Sequence, residues 1–298
     1  MNALFSRLGD YLLQKALAAE CQQAGLTPAS APLSFGQIAY LHNAQTAGEA
    51  VVLLHGATAD KSSWARFAKF LGKRYRLLVP DLPGHGASVV DMALDYSIHA
   101  QAERLLEWFA QLGLQRLHLI GNSMGGTLAL HLAAHHPQKV ASLVLIDTAG
   151  IESRPSWLRQ HATATGQNPM INVNSVADYR AMMRIGMAKL PYIPGFLLAA
   201  LTRVFIQRKA INQKIVQDIE RDLDQKSTLS QIQAPSLIIW GALDKVQHVA
   251  DADFLQQQLA NSSKLILENI GHVPMVEAPK QVAEACSAFL AKHSRENR

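Results

Sequence analysis

Two cysteines are all the chain contains, Cys21 and Cys286, and they lie near opposite ends of it. That excludes a disulfide framework and a cysteine-rich metal site, and leaves at most one long-range bridge; a reducing cytoplasm is the expected setting. Long apolar runs are missing too. The N-terminal "MNALFSRLGDYLLQKALAAEC" is interrupted by Arg7, Asp10 and Lys15, and Glu20 before Cys21 is unlike the small residue of a lipoprotein processing site, so neither a transmembrane span nor an export signal is expected. Aromatic residues make up only 6% of the sequence, and the Lys and Arg residues behind the net charge of +5 are scattered rather than interleaved with aromatics, which speaks against a nucleic-acid surface. No internal repeat and no low-complexity tract is present.

Hydrophobic content is what the sequence has in quantity: 49% over 298 residues, enough for a sizeable core. It is arranged as short runs, "AVVLLHG" at 50–56, "YRLLVPD" at 75–81, "LHLIG" at 117–121, "ASLVLID" at 141–147, "PSLIIWG" at 235–241 and "SKLILEN" at 263–269. These runs lack polar alternation, so they predict strands covered on both faces, hence a mostly parallel central sheet flanked by helices. Helical stretches such as "IHAQAERLLEWFAQLG" separate several of them, a repeating α/β pattern.

The rhythm breaks at about 148–231, where Pro155, Pro169, Pro191 and Pro194 punctuate apolar helical pieces; this predicts a helical cap inserted between core strands. At the other end, Leu4, Phe5, Leu8, Tyr11, Leu12, Ala16 and Ala19 recur at helical spacing. Residues 1–30 are therefore expected to form an amphipathic helical arm, either docked on the domain of residues 31–298 or lying at a membrane interface.

The stretch "LHLIGNSMGGTLALHLAAHHP" takes an apolar strand through a serine and directly into a helix, with more glycine than a turn needs. On such a sharp turn the residues two before and two after the serine approach closely, and Gly121 and Gly125 occupy those places around Ser123. The turn lifts the hydroxyl above the sheet and aims the helix N-terminus at whatever binds there, which suits a nucleophile.

A serine needs a base, and the base needs an orienting acid. Asp244 follows "SLIIWG" and His272 follows "KLILENIG", both at strand ends. His272 is the expected general base and Asp244 its partner. Asp147 also ends a strand; Asp244 is preferred because the strand leading to His272 follows it closely, and Asp147 is assigned a structural role. His131 and His135, four apart on one helix, have no accompanying Glu and no third ligand, so no metal site is expected. His55, His85 and His248 lie in loops, but none follows the last core strand. The oxyanion that forms when a carbonyl is attacked needs preorganised donors, expected from the backbone N–H groups of Ala57 and Met124.

The segments "LLHGATADKSSW", "VPDLPGHGAS", "GNSMGG", "IIWGALDKV" and "ENIGHVPMVEAP" together resemble the α/β-hydrolase superfamily, in order and from about residue 33 to the C-terminus. Within it the chain is similar to monoacylglycerol lipases and related bacterial lipases and esterases. That resemblance implies an α/β-hydrolase fold and carboxylester hydrolysis through an acyl-enzyme, without a cofactor. The competing member type, a hydrolase of carbon–carbon bonds in ring-cleavage products, commonly carries an aromatic residue after the catalytic histidine, where this chain has Val273. A non-catalytic binding member usually lacks one residue of the triad, and all three are here.

Substrate preference is expected from the cap. Met182, Met183, Met187, Phe196, Leu197, Leu201 and Phe205, with Val273, are the candidate acyl-pocket residues, methionine being adaptable to flexible chains. Each also has the plainer role of packing the cap onto the core. Arg180, Arg184, Lys189, Arg203, Arg208 and Lys209 make the cap basic, which with the N-terminal helix suits peripheral contact with an anionic membrane surface, or else forms a solvated face. A small-molecule or lipid ester is the expected partner.

Overall fold

The computed structural model describes residues 2–43, 48–71 and 74–294, with side chains from Leu8 onward. Helix α1 (Asn2–Gln23) leads into strands β1 (Thr27–Leu33), β2 (Gly36–His42) and β3 (Ala50–Leu54), followed by α2 (Ala65–Leu71), β4 (Arg76–Pro80) and α3 (Ile98–Gln111). The chain continues through β5 (Leu117–Asn122), α4 (Met124–His135) and β6 (Val140–Ile146). Four helices then interrupt the sheet: α5 (Trp157–Thr165), α6 (Val176–Gly186), α7 (Gly195–Gln207) and α8 (Lys209–Ile219). The sheet resumes with β7 (Ser236–Gly241), α9 (Ala250–Gln258) and β8 (Ser262–Leu267), and the chain closes with α10 (Pro274–Glu277) and α11 (Pro279–His293).

The eight strands lie in the order β1-β2-β4-β3-β5-β6-β7-β8. Only β1 and β2 run antiparallel to their neighbours; β4 through β8 are parallel. Strand β3 shows why the apolar runs lack alternation. Ala50, Val52 and Leu54 enter the core on one side of the sheet, with Trp108 and Leu128, while Val51 and Leu53 enter the core on the other, with Trp64 and Phe67. A strand covered on both faces has no position left for a polar residue.

Two corrections concern the N-terminal region. The arm expected over residues 1–30 is helical only to Gln23, and β1 begins at Thr27 as the outer strand of the sheet. The helix also presents a different face from the one expected. Leu13 and Cys21 are buried against the domain, whereas Leu8, Tyr11 and Leu12 are 51%, 55% and 38% exposed and Ala16 and Ala19 face solvent. Leu4 and Phe5 lie outside the described side chains. Ion pairs at Asp10–Arg203 and Glu20–Arg66 fix the docking to α7 and α2. Gly9 faces α7, and a Cβ there would make an ordinary contact of 3.4 Å with the Phe196 carbonyl. Docking therefore uses Leu13, Cys21 and two salt bridges, not the stripe of Leu8, Tyr11 and Leu12. Cys21 and Cys286 are both buried as free thiols in one core, so the long-range bridge is not formed.

Candidate active site

Ser123 sits between β5 and α4 at φ 54° and ψ −119°, a left-handed conformation unusual for a side-chain-bearing residue. The turn is held by its backbone: Ser123 N–H donates to the Ile146 carbonyl at 3.0 Å, and the Ser123 carbonyl accepts from Gly126 at 2.9 Å and Thr127 at 3.1 Å. The glycines answer for close approach. A Cβ on Gly121 would run into the Gly125 backbone, and one on Gly125 would strike the Leu54 and His55 carbonyls of the neighbouring strand end. The hydroxyl of Ser123 faces a cavity of about 690 Å³ and has no hydrogen-bond partner among the described residues.

His272 opens onto the same cavity. Its Nδ1 lies 2.8 Å from Oδ2 of Asp244, whose side chain is fully buried. The other oxygen of Asp244 accepts from the Val246 and Gln247 N–H groups at 2.7 and 3.1 Å, so the carboxylate is oriented by backbone donors on one side and the imidazole on the other. His272 is fixed through its own backbone: its N–H donates to Gly186 of the cap at 2.9 Å, and its carbonyl accepts from Asn122 Nδ2 at 3.0 Å.

The two expected oxyanion donors flank Ser123. The N–H groups of Ala57 and Met124 line the cavity region and have no hydrogen-bond partner among the described residues. Gly56 brings the loop in, since a Cβ there would lie 3.1 Å from that of Ser123, and Thr58 completes the turn at φ 63°. His55 braces this loop from beneath. Its Nε2 accepts from Leu82 N–H at 3.0 Å, which leaves Nδ1–H to donate to the Gly56 carbonyl at 2.8 Å. Burial holds both His55 and His85 below the usual histidine range, so this edge-to-face pair stays neutral. His131 is half-buried and pairs with Gln225 at 3.3 Å, and His135 is exposed beside it.

The cap supplies the cavity's apolar wall. Met182, Met183, Met187, Phe205 and Val273 line it, joined by Met170, Ile171 and Tyr179, which the sequence did not single out. Phe196, Leu197 and Leu201 do not. Phe196 is 53% exposed, and the flank of α7 that carries it lies against α1. The segment "GFLLAALTRVFI" is apolar almost all round, so its periodicity gave no means of choosing which face meets the substrate. Two further residues had only motif position to mark them. Asn122 donates to both Ile146 and His272 carbonyls, tying the serine strand to the histidine loop. Glu277 accepts from Gly271 on one oxygen and from Ala188 and Lys189 on the other, tying that loop to the cap.

A family model described as the alpha/beta hydrolase fold matches residues 49–279. The chain belongs to that family. Among its relatives, Lipase 3 of Moraxella sp. (strain TA144) is 33% identical over 280 residues, covering 93% of this chain and 88% of that protein. Monoacylglycerol lipase ABHD6 of Bos taurus is 32% identical over 261 residues, covering 83% of this chain and 77% of that protein. Among solved structures, a membrane phospholipase A titled a novel bacterial virulence factor superimposes with a TM-score of 0.91 at 36% identity, over 95% of this chain and 92% of that one. In this α/β hydrolase, then, Ser123, Asp244 and His272 come from the ends of β5, β7 and β8, and all three loops meet at one rim of the sheet.

Proposed function

We propose that this α/β hydrolase is a serine carboxylester hydrolase whose substrate is a lipid ester, a monoacylglycerol or similar acyl glycerol. The observation that carries the reading is the joining of a His272–Asp244 pair and a strained Ser123 to a large methionine-lined cavity. Ser123 Oγ attacks the ester carbonyl carbon as its proton passes to His272 Nε2. The carbonyl electron pair moves onto oxygen, where the Ala57 and Met124 N–H groups meet it. Collapse of this intermediate breaks the ester bond, and the imidazolium protonates the departing alkoxide. Water then gives a proton to His272 and attacks the acyl carbon; the acyl–oxygen bond to Ser123 breaks, the imidazolium returns the proton to Ser123 Oγ, and the acid is released. In the resting site the Ser123 hydroxyl is unbonded, and substrate entry brings it onto His272.

The decisive experiment compares wild type with Ser123→Ala on p-nitrophenyl esters of increasing acyl length and on a monoacylglycerol. Turnover that rises toward medium and long chains, with glycerol release, and that vanishes with fluorophosphonate labelling in the variant is the expected result. Labelling that survives the substitution would mean that another residue is the nucleophile.

A lipid substrate is reached at a surface, and α1 bears on this. Its exposed Leu8, Tyr11 and Leu12, with Phe196 and Tyr192 on and beside α7, suit peripheral contact with an anionic membrane surface. Of the six basic cap residues, Arg203, Arg208 and Lys209 are held by Asp10, the Gly84 carbonyl and Asn174, while Arg180, Arg184 and Lys189 are exposed. Among the described residues no helix is long and apolar enough to cross a membrane.

A further inference from the structure

We propose that Asp147, at the end of β6, is a positioning residue of the site: a protonated carboxyl that donates a hydrogen bond to the Asp244 carboxylate and so fixes the acid that orients His272. This inference rests on the serine-hydrolase reading above.

Three observations lead to it. An oxygen of Asp147, an oxygen of Asp244 and a ring nitrogen of His272 lie within 4.8 Å of one another, with both Asp147 and His272 buried. The backbone at Asp147 is in the left-handed region, φ 44°, and is held there by its N–H, which donates to the Ile239 carbonyl at 3.0 Å. Its Oδ1 accepts from Gly241 N–H at 2.9 Å, while Oδ2 is buried with no donor to accept from. An ionised carboxylate can only accept hydrogen bonds, so two ionised carboxylates within 4.8 Å of each other here would face each other with lone pairs alone. A single proton between them turns that repulsion into a donated bond.

The surroundings agree. Asp147 is fully buried; an oxygen of Asp244 and a ring nitrogen of His272 lie within 4.8 Å of its carboxyl, and the charges of Asp244 and of Glu277 from α10 both favour its protonated form. Burial, then the Asp244 charge, holds the Asp147 carboxyl well above the usual carboxylate range, against the opposing Gly241 N–H. The pair then carries one negative charge, which matches the single positive charge of His272 when it holds the serine proton. The sign of the pH effect follows. A carboxyl whose value is raised on folding costs stability progressively as pH rises above its unfolded-state value, and the full penalty is reached at the folded-state value. Above that value both carboxylates are charged, and the Asp244–His272 alignment is disturbed.

The test uses two variants of the full chain. Asp147→Asn keeps an N–H donor for Asp244 and an oxygen for Gly241, so kcat on a p-nitrophenyl ester should stay within about threefold of wild type at neutral pH. Its alkaline limb should be displaced or lost, because the group that titrates is gone. Asp147→Ala removes the donor, and kcat should fall about tenfold or more with KM little changed. A readout independent of turnover is the infrared carbonyl band of a buried carboxylic acid at neutral pH, expected in wild type and in Ser123→Ala and absent from Asp147→Asn. The proposal is overturned if that band is missing in folded wild type, or if Asp147→Asn is as impaired as Asp147→Ala with an unchanged alkaline limb. Loss of esterase activity in every form, with the band intact, would instead sink the serine-hydrolase reading.

Discussion

The strand-end loops and the cap meet at one cavity but are built by opposite means. In the loops, each chemical group is held by fixed polar bonds: Ser123 N–H to Ile146, Asp244 to Val246 and Gln247, the His272 N–H and carbonyl to Gly186 and Asn122. The cap lines the cavity with methionines on α6, Phe205 on α7 and Tyr179, side chains that fill space without directional bonds. Reaction demands that a nucleophile, a base and two donors stay in register to a fraction of an ångström. An acyl chain demands only an apolar volume that adjusts, and methionine supplies it. The few polar bonds that cross between the regions, at Gly186 and through Glu277, link cap position to the histidine loop.

This contrast is sharpest at Asp244. Asp244→Asn leaves the cavity untouched but presents an amide where the imidazole N–H needs an acceptor, so kcat should fall by about 10⁴-fold with equal losses on short and long esters. Steady-state kinetics across acyl lengths checks it. Losses confined to long chains would mean that the residue acts through the cap, and the division drawn here would fail.

The cap should behave in reverse. Met183→Trp fills part of the acyl volume without reaching the polar bonds of the loops, so kcat/KM for long-chain esters should drop about tenfold to hundredfold while acetate and butyrate esters change little. The same kinetic series reads the outcome. A uniform loss at every chain length would show that the cap contributes to the chemistry itself.

The two regions also differed in how much their residues disclosed. All six apolar runs became strands β3 to β8; for β3 to β7 burial on both faces leaves the strongest mark a strand can make, while β8, at the sheet's edge, is only partly buried. β1 and β2 left a weaker one. "TPASAPL" carries two prolines, tolerated because β1 is an outer strand, and such segments look like loop. Ser123, Asp244 and His272 are singled out by their place after strands, and the structure brings Asp244 and His272 into hydrogen-bond contact, with Ser123 on the cavity that His272 lines. What the sequence hid depends on three-dimensional contact. Which side of α7 faces the cavity, the double tie of Glu277 and the meeting of Asp147 with Asp244 leave no periodic trace.

The face of α1 belongs to this hidden class and yields the smallest of the expected effects. A helix that docks through Leu13 and Cys21 leaves Leu8, Tyr11 and Leu12 about half in water, which forfeits a part of the about 1.5–3 kcal/mol that full burial of each side chain contributes. A bilayer surface recovers that energy, so Leu12→Asp, which touches neither the loops nor the cavity, should release the protein from vesicles of mixed phosphatidylcholine and phosphatidylglycerol. Co-sedimentation should show binding that weakens several-fold in the variant and with rising salt. Hydrolysis of a soluble p-nitrophenyl ester should be unchanged, while turnover of vesicle-borne substrate declines. Equal binding of wild type and variant, or none by either, would remove membrane contact from the role of this helix and leave its apolar strip without a partner of that kind.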